Sequence, residues 1–146
     1  MHRKDFIKQF GYLIAVLPAS SALLSSCAGL YYASFVEEGG VLRVSKGEFQ
    51  QVKGVKQIER DFVVIQSDSM RYPIGIFKTQ NSNYLASLMQ CTHRGCELNI
   101  GGGIFNCPCH GSEFDPSGRV LEGPAEENLK SFEITADNEN IYVHVS

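Results

Sequence analysis

Four cysteines and two histidines fall within the twenty residues from Cys91 to His110. A stretch that dense in thiols and imidazoles folds around a metal, is stitched by disulfides, or both. The first box reads Cys91-Thr92-His93-Arg94-Gly95-Cys96 and the second Cys107-Pro108-Cys109-His110-Gly111-Ser112. Each offers a thiolate and an imidazole, as C-x-H and as C-x-x-H. Two thiolates and two neutral imidazoles satisfy one tetrahedral metal. They also satisfy a two-iron cluster with cysteines on one iron and histidines on the other. Cys96 and Cys109 are then left over, one per box, and in an oxidising compartment such a pair can clip two loops together. Three readings stand at this point. A structural zinc site leaves the repeated cysteine pair unexplained, and a purely disulfide-bonded domain leaves His93 and His110 unexplained. A two-cysteine, two-histidine iron–sulfur site with an adjacent disulfide uses all six residues.

The fifth cysteine, Cys27, belongs to a different feature. Arg3, Lys4 and Lys8 form a basic start, followed by the apolar run from Tyr12 to Leu17. Pro18 and the serines at 20, 21, 25 and 26 interrupt it short of the ~18 apolar residues of a clean membrane span. The close, Leu24-Ser25-Ser26-Cys27, resembles a bacterial lipobox. The expectation is a lipoprotein signal peptide over 1–26, lipidation of Cys27, and a lipid-anchored tether over 27–40. The competing expectation is an uncleaved anchor helix from about Phe10 to Tyr32. Arg3-Lys4-Asp5-Phe6-Ile7-Lys8 also resembles a twin-arginine export signal, with Lys4 in place of the second arginine. Tyr31-Tyr32 suits either a membrane interface or an ordinary tether.

Charge narrows the partners. The chain has 13 basic and 16 acidic residues, and without residues 1–26 it keeps 10 and 15. That balance speaks against a nucleic-acid partner. It also speaks against attraction of the whole domain to anionic lipid, so membrane attachment is expected through Cys27.

After residue 40 short β-like runs alternate with turn signals, and no long helical period is present. The expected strands are Val41–Val44, Phe62–Gln66, Ile74–Lys78 and Tyr84–Met89, with a turn at Asn81-Ser82-Asn83. Lys130–Ala136 and Ile141–Val145 form a further hairpin around residues 137–140. Residues 90–124 interrupt this pattern and hold seven of the 14 glycines. They read as an insertion of tight loops around a buried object. His144 reads as a plain strand residue and His2 as part of the signal.

The two boxes resemble those of the Rieske iron–sulfur proteins, in the high-potential branch typical of quinol–cytochrome oxidoreductase complexes. The resemblance runs through Phe114-Asp115-Pro116-Ser117-Gly118-Arg119 to Gly123-Pro124-Ala125, which is similar to the loop that covers the cluster in that family. It implies an all-β fold, a Rieske-type antiparallel β sandwich over 41–146. Inserted in it is a cluster-binding subdomain at about 90–125. It implies one [2Fe–2S] cluster, with Cys91 and Cys107 on the inner iron and His93 and His110 on the outer. It also implies a Cys96–Cys109 disulfide and a Ser112 hydroxyl hydrogen-bonded to a bridging sulfide. Two residues depart from the pattern. Arg94 stands where quinol-oxidising members usually carry an apolar residue, and Phe114 where many high-potential members carry a tyrosine.

The function expected is one-electron transfer as the iron–sulfur component of a quinol-oxidising complex, an electron-transfer component rather than a stand-alone enzyme. The partners would be quinol and a cytochrome, and the location the periplasmic side of a bacterial cell envelope. The alternatives are an electron-transfer lipoprotein or small subunit for another oxidoreductase, such as a molybdenum enzyme, and a metal-stabilised binding module without redox role.

Overall fold

The alternation of apolar side chains in Phe62–Ile65 and Ile74–Lys78 has no polar phase, and the fold explains why. The structure, a computed structural model, describes residues 29–146. Cys27 and the segment read as a signal lie outside the described residues. The described chain is almost entirely antiparallel β structure, with one 3-10 turn at Lys46–Phe49. In chain order, β1 is Phe35–Glu38, β2 Val41–Ser45, β3 Gln50–Lys53, β4 Lys56–Glu59, β5 Phe62–Ile65, β6 Ile74–Lys78 and β7 Tyr84–Leu88. Then follow β8 Asn99–Gly101, β9 Ile104–Asn106, β10 Glu113–Phe114, β11 Val120–Glu122, β12 Ser131–Ala136 and β13 Asn140–His144.

The sandwich takes the form of one seven-stranded sheet, ordered β1-β2-β13-β12-β7-β6-β5, curled on itself. β12 makes the bend. Its first two residues pair with β7, and Glu133 to Ala136 pair with β13. The chain leading into β1 closes the curl, because Tyr32 bridges Val64 on the far edge strand and Ala33 N–H donates to the Val64 carbonyl at 2.7 Å. Leu42, Val44, Ile141 and Val143 from one half pack against Val63, Ile65, Ile74 and Ile76 from the other. Val64 and Phe77, on the opposite face of β5 and β6, pack into a second core with Met89, Leu98, Ile100, Phe105 and Phe114. Strands buried on both faces read as continuous apolar runs, and β5 and β6 are of that kind.

The second core joins the sheet to the insertion. Between β7 and β12, the four-stranded sheet β11-β10-β9-β8 stands on the outer face of β5–β7. The six expected strands lie within a residue of the observed ones. The tether expected over 27–40 needs correction. Ala33 is buried, β1 pairs along its length with β2, and Glu37 receives hydrogen bonds from the Ser67 and Ser69 hydroxyls. Local pairing across the Gly39-Gly40 turn and the long-range contacts at Ala33 and Glu37 together hold this segment in the sheet.

The β12–β13 turn is organised by Asp137. Its carboxylate accepts from the Tyr142 hydroxyl and from the backbone N–H groups of Asn140 and Glu139, holding its pKa at about 2. The unfolded value is about 3.9. The contribution of the folded carboxylate is therefore complete above the unfolded value and is lost as pH falls through the folded one. Thermal melts of wild type and Asp137→Ala should differ most near neutrality and converge between about pH 4 and pH 2. A difference constant across that window would contradict the assignment.

Candidate metal centre

Both boxes form the tips of antiparallel pairs. Box one lies between the bridged residues Gln90 and Glu97, and box two between Asn106 on β9 and Glu113 on β10. The backbone closes each tip in the same way. Gly95 N–H donates to the Cys91 carbonyl at 2.8 Å, and Gly111 N–H to that of Cys107 at 3.0 Å. The N–H of Cys91 then donates to the Cys96 carbonyl and that of Cys107 to the Ser112 carbonyl, both at 2.8 Å. Gly95 and Gly111 have φ of 75° and 81°, a conformation that side chains disfavour, so the glycine four residues after each first cysteine is required by the turn. The Tyr72 hydroxyl further fixes box one by donating to the Gly95 carbonyl at 2.7 Å.

This closure turns Cys91 and Cys107 inward. They are the free cysteines among the described residues, and both are buried in the second core beside Phe114. His93 and His110 stand toward the surface, His93 half-buried and His110 exposed. Their ring centroids lie 4.9 Å apart, edge to face. Cys96 and Cys109 are joined in a disulfide that ties the two tips together. The sulfurs of Cys96, Cys107 and Cys109 lie within 4.8 Å of one another, but two of the three are spent in that disulfide and offer no thiolate.

A third loop lies against both tips. Ala125 N–H donates to the Ser112 hydroxyl at 3.0 Å, and the Thr92 hydroxyl donates to the Glu127 carbonyl at 2.6 Å. The sequence gives no signal for the Thr92 or Tyr72 contacts. Ser112 is fully buried and uses its oxygen as acceptor, so its proton remains available to a further acceptor. Asp115 shapes the exit from box two by accepting from the N–H groups of Ser117 and Arg119 and from the Arg119 guanidinium. Burial works against its charge, yet these donors and the Ser117 hydroxyl hold its pKa below the ordinary carboxylate value.

The residues fit a metal group bound by two sulfurs and two nitrogens. His93 Nδ1 is buried and has no hydrogen-bond partner, a costly position for a neutral nitrogen but the normal one for a ligating nitrogen. Cys107 is similarly disposed. Burial favours its neutral thiol, but the backbone N–H groups of Cys109 and His110 and the Cys91 side chain outweigh it, so its pKa lies below the ordinary thiol value.

Residues 40–133 match the family model of the Rieske [2Fe-2S] domain. The chain belongs to the Rieske family. Its cofactor is one [2Fe–2S] cluster. The chain is 30% identical over 112 residues to the cytochrome b6-f complex iron-sulfur subunit of Prochlorococcus marinus strain MIT 9303, covering 75% of this chain and 56% of that one. It is 47% identical over 55 residues to the ubiquinol-cytochrome c reductase iron-sulfur subunit of Rickettsia typhi, over 36% of this chain and 31% of the relative. The chain thus spans about a third to just over half the length of these relatives. Among solved structures it is similar to the cyanobacterial plasma membrane Rieske protein PetC3 from Synechocystis PCC 6803, with TM-score 0.51 and 31% identity. That match covers 57% of this chain and 85% of the other. Among the described residues no helix is long and apolar enough to cross a membrane.

Proposed function

We propose that this chain passes electrons singly as the iron–sulfur component of a membrane quinol-oxidising complex. In this reading Cys91 and Cys107 hold one iron and His93 and His110 the other. The observation that carries it is the convergence of two free buried thiols and two adjacent imidazoles on tips tied by a disulfide. When bound, the cluster supplies a one-electron couple; the chain's own residues do the rest. The second core keeps water from the two sulfurs, which strengthens every hydrogen bond directed at them. The backbone N–H groups of Cys109 and His110 stabilise negative charge on Cys107, and the Ser112 hydroxyl adds a further buried donor. Such donors to ligand sulfur tune a centre's potential. The exposed His110 offers its outward ring nitrogen to a hydrogen-bonding partner at the surface, as a quinol hydroxyl would be.

The same reading places a signal over 1–26, a lipid anchor on Cys27 and the folded domain on the periplasmic side of a bacterial envelope. Support comes from the lipobox-like Leu24–Cys27 and from the membrane complexes named for the relatives. Purification of the full chain from its native membranes in mild detergent should bring down a haem protein. In that preparation quinol should generate the electron paramagnetic resonance signal of the reduced centre. A centre that dithionite reduces and quinol does not would overturn the quinol reading. One observation favours a second reading. Arg94 is exposed beside His93 and suits an acidic protein surface better than an apolar quinol pocket. Co-purification with a different oxidoreductase, without cytochrome, would decide for it.

A further inference from the structure

The exposed apolar residues of this protein are unevenly placed. Tyr31, Tyr32, Val36, Val52 and Val55 all lie in the first part of the described chain, and Leu121 is the one large exposed apolar side chain elsewhere among the described residues. Val52 and Val55 are the most exposed, at 75% and 109%, and both belong to the β3–β4 hairpin. This hairpin is a two-stranded sheet that neither of the two larger sheets extends. Its tip reads Val52-Lys53-Gly54-Val55-Lys56, and from Gln50 to Gln57 it carries two lysines and no acid. In a chain of net charge −3 that is a local reversal of sign. Apolar side chains exposed between lysines match a headgroup layer: the valines enter its apolar edge, and the lysine stems follow while the ammonium groups meet phosphate.

The base of the hairpin fixes where it stands. Arg60, just beyond β4, stacks on the Tyr31 ring at 3.8 Å and donates to the Gln50 carbonyl at 2.6 Å. The Tyr31 hydroxyl donates to Glu48 at 2.7 Å. The point where the chain joins the fold is thus bolted to the root of the hairpin. Cys27 is four residues before Tyr31, a reach of at most about 14 Å. Four-residue strands rise about 13 Å, so the hairpin is as tall as that connection is long. We propose that the β3–β4 hairpin is a second membrane contact. In it Val52 and Val55 insert at an anionic phospholipid surface and Lys53 and Lys56 pair with its phosphates, next to the anchored end of the chain. This inference rests on the anchoring reading above, and its test separates the two.

The chain contains no tryptophan, so Val55→Trp introduces a unique fluorophore at the tip and Leu121→Trp a control on the insertion. Each full-length variant, purified from membranes and shown to retain the visible spectrum of its centre, is reconstituted with phosphatidylethanolamine vesicles containing phosphatidylglycerol. Flotation reads anchoring, and quenching by lipids brominated near the headgroup reads the hairpin. The expected result is a blue-shifted, quenched Val55→Trp signal, with Leu121→Trp unquenched and the Val55 quenching lost when Lys53→Glu and Lys56→Glu are added. Protein that floats while Val55→Trp stays unquenched overturns the hairpin contact and leaves the anchor standing. The same holds if it is quenched no more than Leu121→Trp. Protein that fails to float overturns the anchor and this inference with it.

Discussion

Replacing His110 by serine is expected to give a folded protein with no visible absorption from a metal centre and no stoichiometric iron or sulfide. The choice of residue follows from burial. Cys91 and Cys107 belong to the second core, so changing either alters both the proposed donor set and the packing around Phe105 and Phe114. His110 is exposed and belongs to neither core, so in the proposed donor set its loss removes one donor and little else. The first core, around Leu42, Val63, Ile76 and Ile141, contains none of the site residues, and its β-sheet circular dichroism should persist. Melting of the insertion should fall, because a group that binds only the folded state adds its binding free energy to stability. Cys107→Ser should lose the centre as well and melt lower than His110→Ser, the difference reporting the disturbed core. A His110→Ser protein with wild-type iron and sulfide would remove His110 from the donor set and reopen the assignment of box two.

What could be read from the residues, and what could not, divides along the range of the forces involved. Ile74–Lys78 and Tyr84–Leu88 announce themselves because strand propensity and burial agree along each run. The β3–β4 hairpin does not, since its Gln and Lys residues have weak strand preference; backbone pairing makes it a hairpin, helped by Gln50 and Gln57 side chains bonding across it. β1 reads as tether because Glu37 finds its partners Ser67 and Ser69 some thirty residues away, although the strand itself pairs locally with β2 across the Gly39-Gly40 turn. The glycines between 95 and 123 announce tight turns but not the two- and three-residue strands between them. At the site, the donor types were legible from the boxes alone, whereas the Cys96–Cys109 pairing came with the family resemblance and is now seen directly. The hold of Thr92 on Glu127 was in neither, because a side chain bonding a backbone carbonyl 35 residues away leaves no local pattern.

Gly75 is the clearest instance of such a hidden residue, and its replacement should be among the most damaging single changes in the protein. It sits in β6 with its Hα side toward the insertion. A Cβ there would lie 2.6 Å from Phe105 Cε1 and 2.9 Å from Ile100 Cδ1, inside the contact distance of real carbon atoms. The ring cannot easily yield. Phe105 is fully buried and meets Phe77 edge-on at 5.1 Å, and Phe77 is itself on β6. Overpacking of this kind costs roughly 1–3 kcal/mol for one added carbon, and more for a branched side chain. Gly75→Ala should therefore lower stability by about 2 kcal/mol, and Gly75→Val should lift the β8–β11 sheet off β5–β7. Cys91 and Cys107 share the second core with Phe105, so cluster content should fall with it. The steric cause is tested by a double-mutant cycle. Phe105→Leu alone leaves a cavity and destabilises, but in the Gly75→Ala background the smaller side chain makes room, so the two losses should be less than additive by about 1 kcal/mol. Additive losses, or a Gly75→Ala protein as stable as wild type, would mean that the insertion shifts as a body to accept the methyl group and that β6 does not fix its seat.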